Sequence, residues 1–246
     1  MGVLTVIATP IGNLGDCSPR AREAISSQEI LCCEDTRHTG NLVSLLGIPR
    51  PALYVANHEH NEREMASRIV AWLNEGKRVG ICSDAGYPLV SDPGYPAVAA
   101  AIAAGHEIRV IPGASAVPVA LISSGLPPSS YLFKGFPPRK PGHRRSFLLE
   151  DAASRHTLVF YESPYRVGKF LSEALEVLGD RQAAVCLELT KQFERVKRGS
   201  LSQLAELFAK TPPKGEAVIV VRGNTGETVP TAEDADESTD DAESEE

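Results

Sequence analysis

Short runs of apolar and β-branched residues alternate with longer amphipathic stretches along the first half of the chain. The apolar runs lie at residues 4–8, 30–33, 52–55, 78–82 and 107–111. Stretches with helical spacing of their apolar positions follow them, at residues 19–27, 38–46, 61–75, 95–104 and 115–124. Because strands that alternate with helices form parallel sheets, this pattern predicts an α/β domain with a mostly parallel sheet and helices on its faces.

A second series of apolar runs and helical stretches begins after the segment GLPPSS at residues 125–130. Its predicted strands lie at residues 131–136, 157–161, 183–189 and 217–221, and its predicted helices at residues 144–152, 165–178 and 201–209. We therefore predict two α/β domains, at residues 1–126 and 127–224. Ligands of open α/β sheets bind beyond the carboxyl ends of strands and often between domains, which directs attention to the loops that follow strands.

The charge of the chain is unevenly distributed. Its 25 Lys and Arg residues stand against 32 Asp and Glu residues, and ten of these acids lie in residues 225–246, which hold no basic residue. The rest of the chain therefore carries 22 acids and a net charge of +3. Because a segment with few apolar residues and high like charge cannot bury enough surface to offset the entropy of ordering, we predict a disordered acidic tail at residues 225–246.

The sequence has no signal of a membrane protein or a secreted one. Its longest apolar stretches, at residues 98–104 and 116–122, fall far short of the ~20 residues that a membrane-spanning helix needs. The start, MGVLTVIATP, lacks the basic n-region of a signal peptide. The five cysteines show no CxxC spacing and mostly lie in apolar runs, as reduced core thiols do. We predict a cytoplasmic protein without membrane contact.

Four loops after predicted strands of the first domain are rich in Gly, Pro and polar residues. They read TPIGNLGD at residues 9–16, CEDTRHTG at 33–40, SDAGYPLVSDPG at 83–94 and PGASA at 112–116. Turn and capping chemistry alone explains any one of them, but four on one edge of a sheet favour a ligand site. TPIGNLGD matches neither GxGxxG nor GxxxxGK[ST], which disfavours the usual NAD and ATP sites.

The segment SDAGYPLVSDPG resembles the signature of the ribosomal RNA small subunit methyltransferase I family, a branch of the tetrapyrrole (corrin/porphyrin) methylase superfamily. Other segments fit the same family, and the resemblance extends over residues 3–223. These segments are TPIGNLGD at 9–16, EDTRHTGNLV at 34–43, HEHNE at 58–62, PGASA at 112–116, FYESPYR at 160–166, ELTKQFE at 188–194 and GEAVIVVRG at 215–223. One departure is the acidic tail, since many family members continue into an extra C-terminal segment.

The resemblance implies an S-adenosyl-L-methionine-dependent 2′-O-methyltransferase that acts on a cytidine of 16S ribosomal RNA at the decoding centre of the small ribosomal subunit. It also implies a homodimer, each chain having two α/β domains of the tetrapyrrole methylase type with the cofactor in the cleft between them. The implied cofactor-binding residues are Pro10, Gly12, Ser83, Asp84, Ala85, Gly86, Pro88, Val90, Ser115, Ala116, Tyr161, Ser163, Leu189 and Thr190.

The implied reaction needs a proton acceptor, because a ribose hydroxyl is a poor nucleophile until its proton is leaving. The polar residues suited to that role are Glu34, Asp35, His58, His60 and Glu162. We take as catalytic candidates Glu34, Asp35 and Arg37. The alternative interpretation is that these acids cap helices or pair with Arg37 and Arg166.

Two further segments are candidates for ligand binding. His58-Glu59-His60 spaces two histidines as metal ligands can be spaced, but no third ligand follows at a matching interval, so we predict no metal site. PPRKPGHRR at residues 137–145 concentrates positive charge beside Phe136, and ERVKR at 194–198 is a second basic cluster. Each cluster is either a phosphate-binding surface or an ordinary solvated loop. The resemblance favours RNA contact for the first, at Arg139, Lys140, Arg144 and Arg145.

Two other functions remain open on the sequence alone. One is methylation of a small tetrapyrrole by the same fold and cofactor, against which the basic segment and the polar EDTR loop argue. The other is a non-catalytic RNA-binding or assembly protein that keeps the fold.

Overall fold

The structure, a computed structural model, describes residues 1–226. Apart from its first two residues, the predicted disordered tail lies outside the described residues. The chain forms two compact units: residues 1–119 together with 188–195, and residues 120–187 together with 196 onward. The predicted linear boundary after residue 126 stays a prediction, and the short segment 188–195 belongs to the first unit although it is distant from it in sequence.

The sheet of the first unit is entirely parallel, where the sequence pattern predicts a mostly parallel one. Its strands are β1 (Val3–Ile7), β2 (Ile30–Cys33), β3 (Leu53–Ala56), β4 (Val79–Cys82) and β5 (Glu107–Ile111), in the order β3-β2-β4-β1-β5. The helices that follow them are α1 (Pro19–Ser27), α2 (Thr36–Leu46), α3 (Glu62–Asn74), α4 (Tyr95–Ala103) and α5 (Ala116–Ser124). Each of these strands lies within one residue of its predicted position.

Alternating side chains place helices on both faces of this sheet. In β2, Leu31 and Cys33 join a core with α1 and α2, whereas Ile30 and Cys32 join a second core with α3 and α4. All four side chains are at most 4% exposed. Successive residues of a strand point to opposite faces, so a strand buried on both sides reads as a continuous apolar run. Because helices cover both faces, the ends of the strands are where polar loops can gather.

The sheet of the second unit is mixed. Its strands are β6 (Tyr131–Phe133), β7 (Thr157–Glu162), β8 (Gln182–Leu187), β9 (Arg195–Ser200) and β10 (Ala217–Val221), in the order β6-β7-β10-β8-β9. Strand β10 is antiparallel to both β7 and β8, while β6 is parallel to β7. The helices are α6 (Pro141–Leu149), α7 (Val167–Leu178) and α8 (Leu201–Ala209). The second α/β domain is thereby confirmed, with one strand that the sequence pattern does not predict.

That additional strand, β9, has the sequence RVKRGS and lies at the edge of the sheet. Its charged residues are exposed, and only one residue in the strand is a large apolar one. An edge strand can be this polar because charged side chains discourage pairing with another chain. Without apolar alternation, a strand at 195–200 has the same sequence pattern as a solvated loop. None of the helices within residues 1–226 is long and apolar enough to cross a bilayer.

Close packing of α7 against α8 depends on Gly168. An ideal Cβ built on this residue would lie 2.5 Å from the Phe208 carbonyl oxygen and 3.1 Å from its carbonyl carbon. Because backbone atoms cannot move aside as a flexible side chain can, we expect Gly168→Ala to lower the free energy of unfolding by about 1–3 kcal/mol.

The matched control is Gly142→Ala in α6, where nothing lies within 4 Å of an added Cβ. This change should be neutral or stabilising by up to about 1 kcal/mol, since Ala is the better helix former. Urea unfolding of both variants measures the difference. Equal stability of the two variants would show that the α7–α8 contact tolerates a methyl group.

Candidate functional site

The loops that follow β1 and β4 are joined by paired backbone groups. The Thr9 amide donates to the Gly86 carbonyl at 2.8 Å, and the Gly86 amide donates back to the Thr9 carbonyl at 3.2 Å. The Thr9 hydroxyl also donates to the Ser83 carbonyl at 3.2 Å. Gly86 has a φ of +79°, a conformation that glycine adopts without strain. The start of the long loop at 83–94 is therefore held against the end of β1.

The loop after β5 and the segment 188–195 lie against these two loops. The Gly113 amide donates to the Tyr87 hydroxyl at 3.1 Å. An ideal Cβ on Gly12 would overlap the side chain of Lys191. The structure thus brings together, within the first unit, the loops that carry twelve of the predicted cofactor-binding residues. They are Pro10, Gly12, Ser83, Asp84, Ala85, Gly86, Pro88, Val90, Ser115, Ala116, Leu189 and Thr190.

The other two predicted cofactor-binding residues, Tyr161 and Ser163, belong to the second unit. The Tyr161 ring packs edge-on against Phe133, with ring centroids 4.8 Å apart. The Ser163 amide donates to the carboxylate of Glu162 at 2.6 Å, and the same carboxylate oxygen accepts from Arg166 Nε at 2.7 Å. Glu162 is therefore an ion-pair partner, in agreement with the alternative interpretation. A cofactor contact at Tyr161 and Ser163 stays a prediction.

Several residues of the gathered loops have a strained backbone. Leu89, Ser91 and Thr190 have φ values of 71°, 66° and 64°, a region that residues other than glycine rarely adopt. Each such residue costs about 1–3 kcal/mol and persists only where its surroundings impose it, which is frequent at ligand sites. The Thr190 hydroxyl oxygen is also buried without a hydrogen-bond partner in the described part of the chain. A ligand that hydrogen-bonds at this position would satisfy it.

The catalytic candidates after β2 differ in their surroundings. Asp35 caps α2, accepting from the Arg37 amide at 2.8 Å, and also pairs with the Arg37 guanidinium at 3.0 Å. These bonds lower the pKa of Asp35 to about 2, which makes it a weak proton acceptor. Partial burial raises the pKa of Glu34, and the nearby Asp84 carboxylate adds to that effect. Of the two acids, Glu34 is the better proton acceptor near neutral pH.

A pocket of about 480 Å³ opens beside Glu34, and we call it the acidic pocket. It is formed by the ends of β2 and β3, the start of α3, and the end of the 83–94 loop with the first residue of α4. Its lining residues are Glu34, His58, Glu59, His60, Glu62, Ser91, Asp92, Pro93 and Tyr95. The volume lies in the range of pockets that bind small molecules.

Asp92 is an acid of this pocket that is not among the predicted site residues. Burial raises its pKa to about 6, opposed by a hydrogen bond from Ser83 and reinforced by the charges of Glu34 and Asp84. The signal is present in the sequence, because Asp92 is the second aspartate of SDAGYPLVSDPG, but the motif alone does not tell which aspartate faces a cavity. Tyr95 directly follows the motif and is also not predicted, because its position in the sequence does not tell that its side chain lines a pocket.

The structure contradicts one of the predicted RNA-binding residues, Arg144. Its side chain is only 2% exposed and pairs with Glu173, with 2.7 Å from its terminal nitrogen to the carboxylate. It also donates to the carbonyls of Pro138 and Arg139, at 3.1 Å each. Arg144 therefore holds the basic segment onto α7 and is not available to a phosphate. The other three candidates of this segment are exposed: Arg139, Lys140 and Arg145.

The segment His58-Glu59-His60 lies at the acidic pocket. In the portion of the chain that the structure describes, no group of three or more His, Cys, Asp or Glu side chains is arranged to hold a metal ion. His60 instead lies 3.5 Å from the Glu59 carboxylate, and its ring is edge-on to that of His58.

Comparison with known proteins identifies the class of this fold and its relatives. The family model of the tetrapyrrole (corrin/porphyrin) methylases matches residues 3–205. Curated proteins called ribosomal RNA small subunit methyltransferase I are similar over most of the chain. One from Xylella fastidiosa is 46% identical over 90% of this chain and 82% of its own length, and one from Halalkalibacterium halodurans is 42% identical over 93% and 78%.

The chain therefore belongs to the tetrapyrrole methylase family, and within it to the group whose curated members carry that methyltransferase name. The family predicted from the motifs is confirmed. Solved structures agree on the fold: the methyltransferase CobJ has a TM-score of 0.67 at 21% identity, covering 91% of this chain and 95% of its own. Diphthine synthase has a TM-score of 0.64 at 17% identity, covering 90% of each chain.

The raised pKa of Asp92 has a consequence for stability. The folded chain holds the Asp92 proton more tightly than the unfolded chain, in which the pKa is about 3.9. This contribution to stability is present at low pH and is lost as pH rises from about 4 to about 6. Full linkage would amount to about 3 kcal/mol, which partial exposure reduces to about 1–2 kcal/mol.

We expect Asp92→Asn to be more stable than the parent by that reduced amount at pH 7 and to match it near pH 4. Urea unfolding at the two pH values measures this. The exposed Glu206→Gln on α8 is the control and should track the parent at both. An Asp92→Asn variant that is no more stable than the parent at pH 7 would show that burial does not destabilise the carboxylate.

Proposed function

We propose that this protein methylates the 2′-hydroxyl of a decoding-centre cytidine in 16S ribosomal RNA, with S-adenosyl-L-methionine as the methyl donor. The observation that carries the proposal is the joined set of loops at the carboxyl edge of the first sheet beside the half-buried Glu34. The names of the relatives supply the substrate class, since proteins 40–46% identical to this chain are called ribosomal RNA small subunit methyltransferases.

The residues present fit such a methyl donor. The loops after β1, β4 and β5 offer backbone groups, and the buried Thr190 hydroxyl lacks a partner within residues 1–226. Residues 84–86 and 88–90, with Ser115, Ala116 and Thr190, would hold the donor. When bound, S-adenosylmethionine supplies a methyl group already activated by its sulfonium, so the protein's main task is alignment.

Glu34 has the role of proton acceptor in this proposal. The bound donor would supply the methyl group to the ribose oxygen and keep the electron pair of its carbon–sulfur bond, so the task left to the chain is to take the hydroxyl proton. The hydroxyl proton passes to the Glu34 carboxylate and from there to solvent. A raised pKa strengthens Glu34 as a base, whereas Asp35 and Arg37 neutralise one another at the start of α2.

A tetrapyrrole acceptor is the weaker alternative. Two solved structures, of uroporphyrin-III-C-methyltransferase from Thermus thermophilus and of cobalt precorrin-4 methyltransferase, are 21% and 18% identical to this chain, and this likeness supports a shared fold only. The exposed basic residues of the 137–145 segment suit a polyanion. Phe136 beside them is 57% exposed and offers a ring on which a base can stack.

Homodimer formation and a cytoplasmic location complete the proposal. Ile102 on α4 and Val110 on the edge strand β5 are 59% and 51% exposed, so both side chains are accessible to a second copy of the chain. A ribosomal substrate is found in the bacterial cytoplasm.

A methylation assay tests the function. The protein, incubated with small ribosomal subunits and S-adenosylmethionine labelled in its methyl group, should transfer label to one ribose of 16S ribosomal RNA. Glu34→Gln should lower kcat by about 10²–10⁴-fold, because the amide cannot accept the proton. Calorimetry should give the variant an affinity for the donor like that of the parent.

Glu64→Gln, an exposed acid in the first turn of α3, is the control and should keep full activity. Label on a base would contradict the 2′-O proposal. An absence of both label and heat of donor binding would favour the non-catalytic RNA-binding protein. Full activity of Glu34→Gln would assign the proton to another group and leave the function intact.

The basic segment should contribute to RNA affinity without affecting the chemistry. We expect the double variant Arg139→Ala/Lys140→Ala to weaken binding to small subunits. It should also reduce the slope of log affinity against log salt by about one for each phosphate that the protein no longer neutralises. Binding measured between about 50 and about 200 mM salt checks this, because counterion release changes affinity strongly over that range. The control is Lys210→Ala, which removes an exposed cation at the end of α8 and should leave the slope unchanged. If the double variant and the control changed the slope equally, only the net charge of the protein would matter.

A further inference from the structure

The acidic pocket has a charge unsuited to a phosphate. Four of its lining side chains are carboxylic acids, Glu34, Glu59, Glu62 and Asp92, and none is Lys or Arg. Carboxylates accept hydrogen bonds and repel other acceptors. A ligand group that enters this pocket must therefore present hydrogen-bond donors.

Two of these acids are already engaged. Glu62 accepts from the Gly94 amide at 3.0 Å and so ties the end of the 83–94 loop to α3. Glu59 lies 3.5 Å from the His60 ring. Asp92 and Glu34 remain as partly buried acids without a salt bridge in the described structure, and the charge of Glu34 helps to raise the pKa of Asp92.

Other polar groups around the pocket also lack partners. His58 lines it, and its Nδ1 atom is buried with no hydrogen-bond partner among the residues that the structure covers. Next to His58 in the chain, Asn57 is only 2% exposed and its side-chain oxygen is likewise unpartnered there. Buried polar atoms are normally satisfied, so these indicate a site completed by a ligand or by water.

An aromatic ring stands at the same pocket. Tyr95 is the first residue of α4 and is 71% exposed, although it belongs to the pocket lining. Any of the nucleobases can stack on an exposed aromatic ring. Enzymes that act on one nucleotide commonly take it out of its stack into a pocket, where its hydrogen-bonding edge is read.

From these features we propose that the acidic pocket receives the base of the target nucleotide, and that Asp92 selects cytosine by accepting a hydrogen bond from its exocyclic amino group while Tyr95 stacks on the ring. Cytosine presents an amino donor where uracil presents a carbonyl oxygen, which a carboxylate repels. This inference rests on the proposed function, since it names how that same site would choose its nucleotide. Glu34, at the side of the pocket, would then be near the ribose.

The test compares cytidine with uridine at the target. Small subunits are reconstituted from 16S ribosomal RNA that carries either nucleotide at the position the parent protein methylates. We expect the parent to prefer cytidine by about tenfold or more in kcat/KM. Asp92→Asn should reduce that ratio to about one or below, because the Asn amide can donate to the uracil oxygen. Tyr95→Ala should lower kcat/KM for both substrates by about tenfold, whereas Tyr95→Phe should keep the kcat/KM of the parent.

A binding measurement separates this inference from the function itself. The imidazole proton resonances of His58 and His60 should shift on addition of cytidine and less on addition of uridine, with S-adenosylmethionine already bound. Glu64→Gln is again the control and should respond as the parent does.

Three results would overturn the inference. The first is equal methylation of cytidine and uridine by the parent, and the second is an unchanged cytidine-to-uridine ratio in a folded Asp92→Asn variant. The third is that S-adenosylmethionine alone shifts the His resonances and that cytidine then causes no further shift. The last would assign the pocket to the methyl donor. If the parent methylates no ribose while cytidine still shifts the histidines selectively, the proposed function fails and the base pocket stands. If methylation occurs without preference, the function stands and the base pocket fails.

Discussion

The two-way backbone pairing of Thr9 with Gly86 is the constraint on which the candidate site depends. It extends the contact between β1 and β4 beyond the sheet, into two loops that would otherwise be free to separate. Because all five strands of the first sheet are parallel, their carboxyl ends already lie on one edge. The pairing also fixes the separation of the two loops. The 83–94 loop is thereby constrained at its start, which helps to hold residues 89 and 91 in their strained conformations.

Charge is separated in a way that suits a nucleic-acid substrate. The exposed cations of the 137–145 segment can bind phosphates whatever the sequence of the RNA, and they carry no information on the base. The acidic pocket repels phosphate, so it can act only on groups that donate hydrogen bonds. Under the proposed function, the protein would draw affinity from the basic segment and selectivity from the acidic pocket, so that selection of the nucleotide would not depend on salt.

The sequence predicts most of the fold because local signals and tertiary packing agree. The apolar runs of the first five strands and the helix start at Ser18-Pro19, where the Ser18 hydroxyl accepts from the Ala21 amide at 3.1 Å, are visible without coordinates. Strand β9 is not visible in this way, because an edge strand of charged residues lacks a hydrophobic period. The division of the chain is harder still to predict, since segment 188–195 joins the first unit only through contacts distant in sequence.

For the candidate site, too, the sequence predicts one part and not the other. Motifs locate the loops, but a residue's role depends on what surrounds it in three dimensions. Asp35 and Glu34 are adjacent and equally acidic in sequence, yet a cap and an arginine lower the pKa of one while burial near Asp84 raises the pKa of the other. Arg144 and Arg145 are adjacent cations, and only the first is buried on Glu173. A motif therefore identifies the chemistry available to a site, and burial decides which member of each pair performs it.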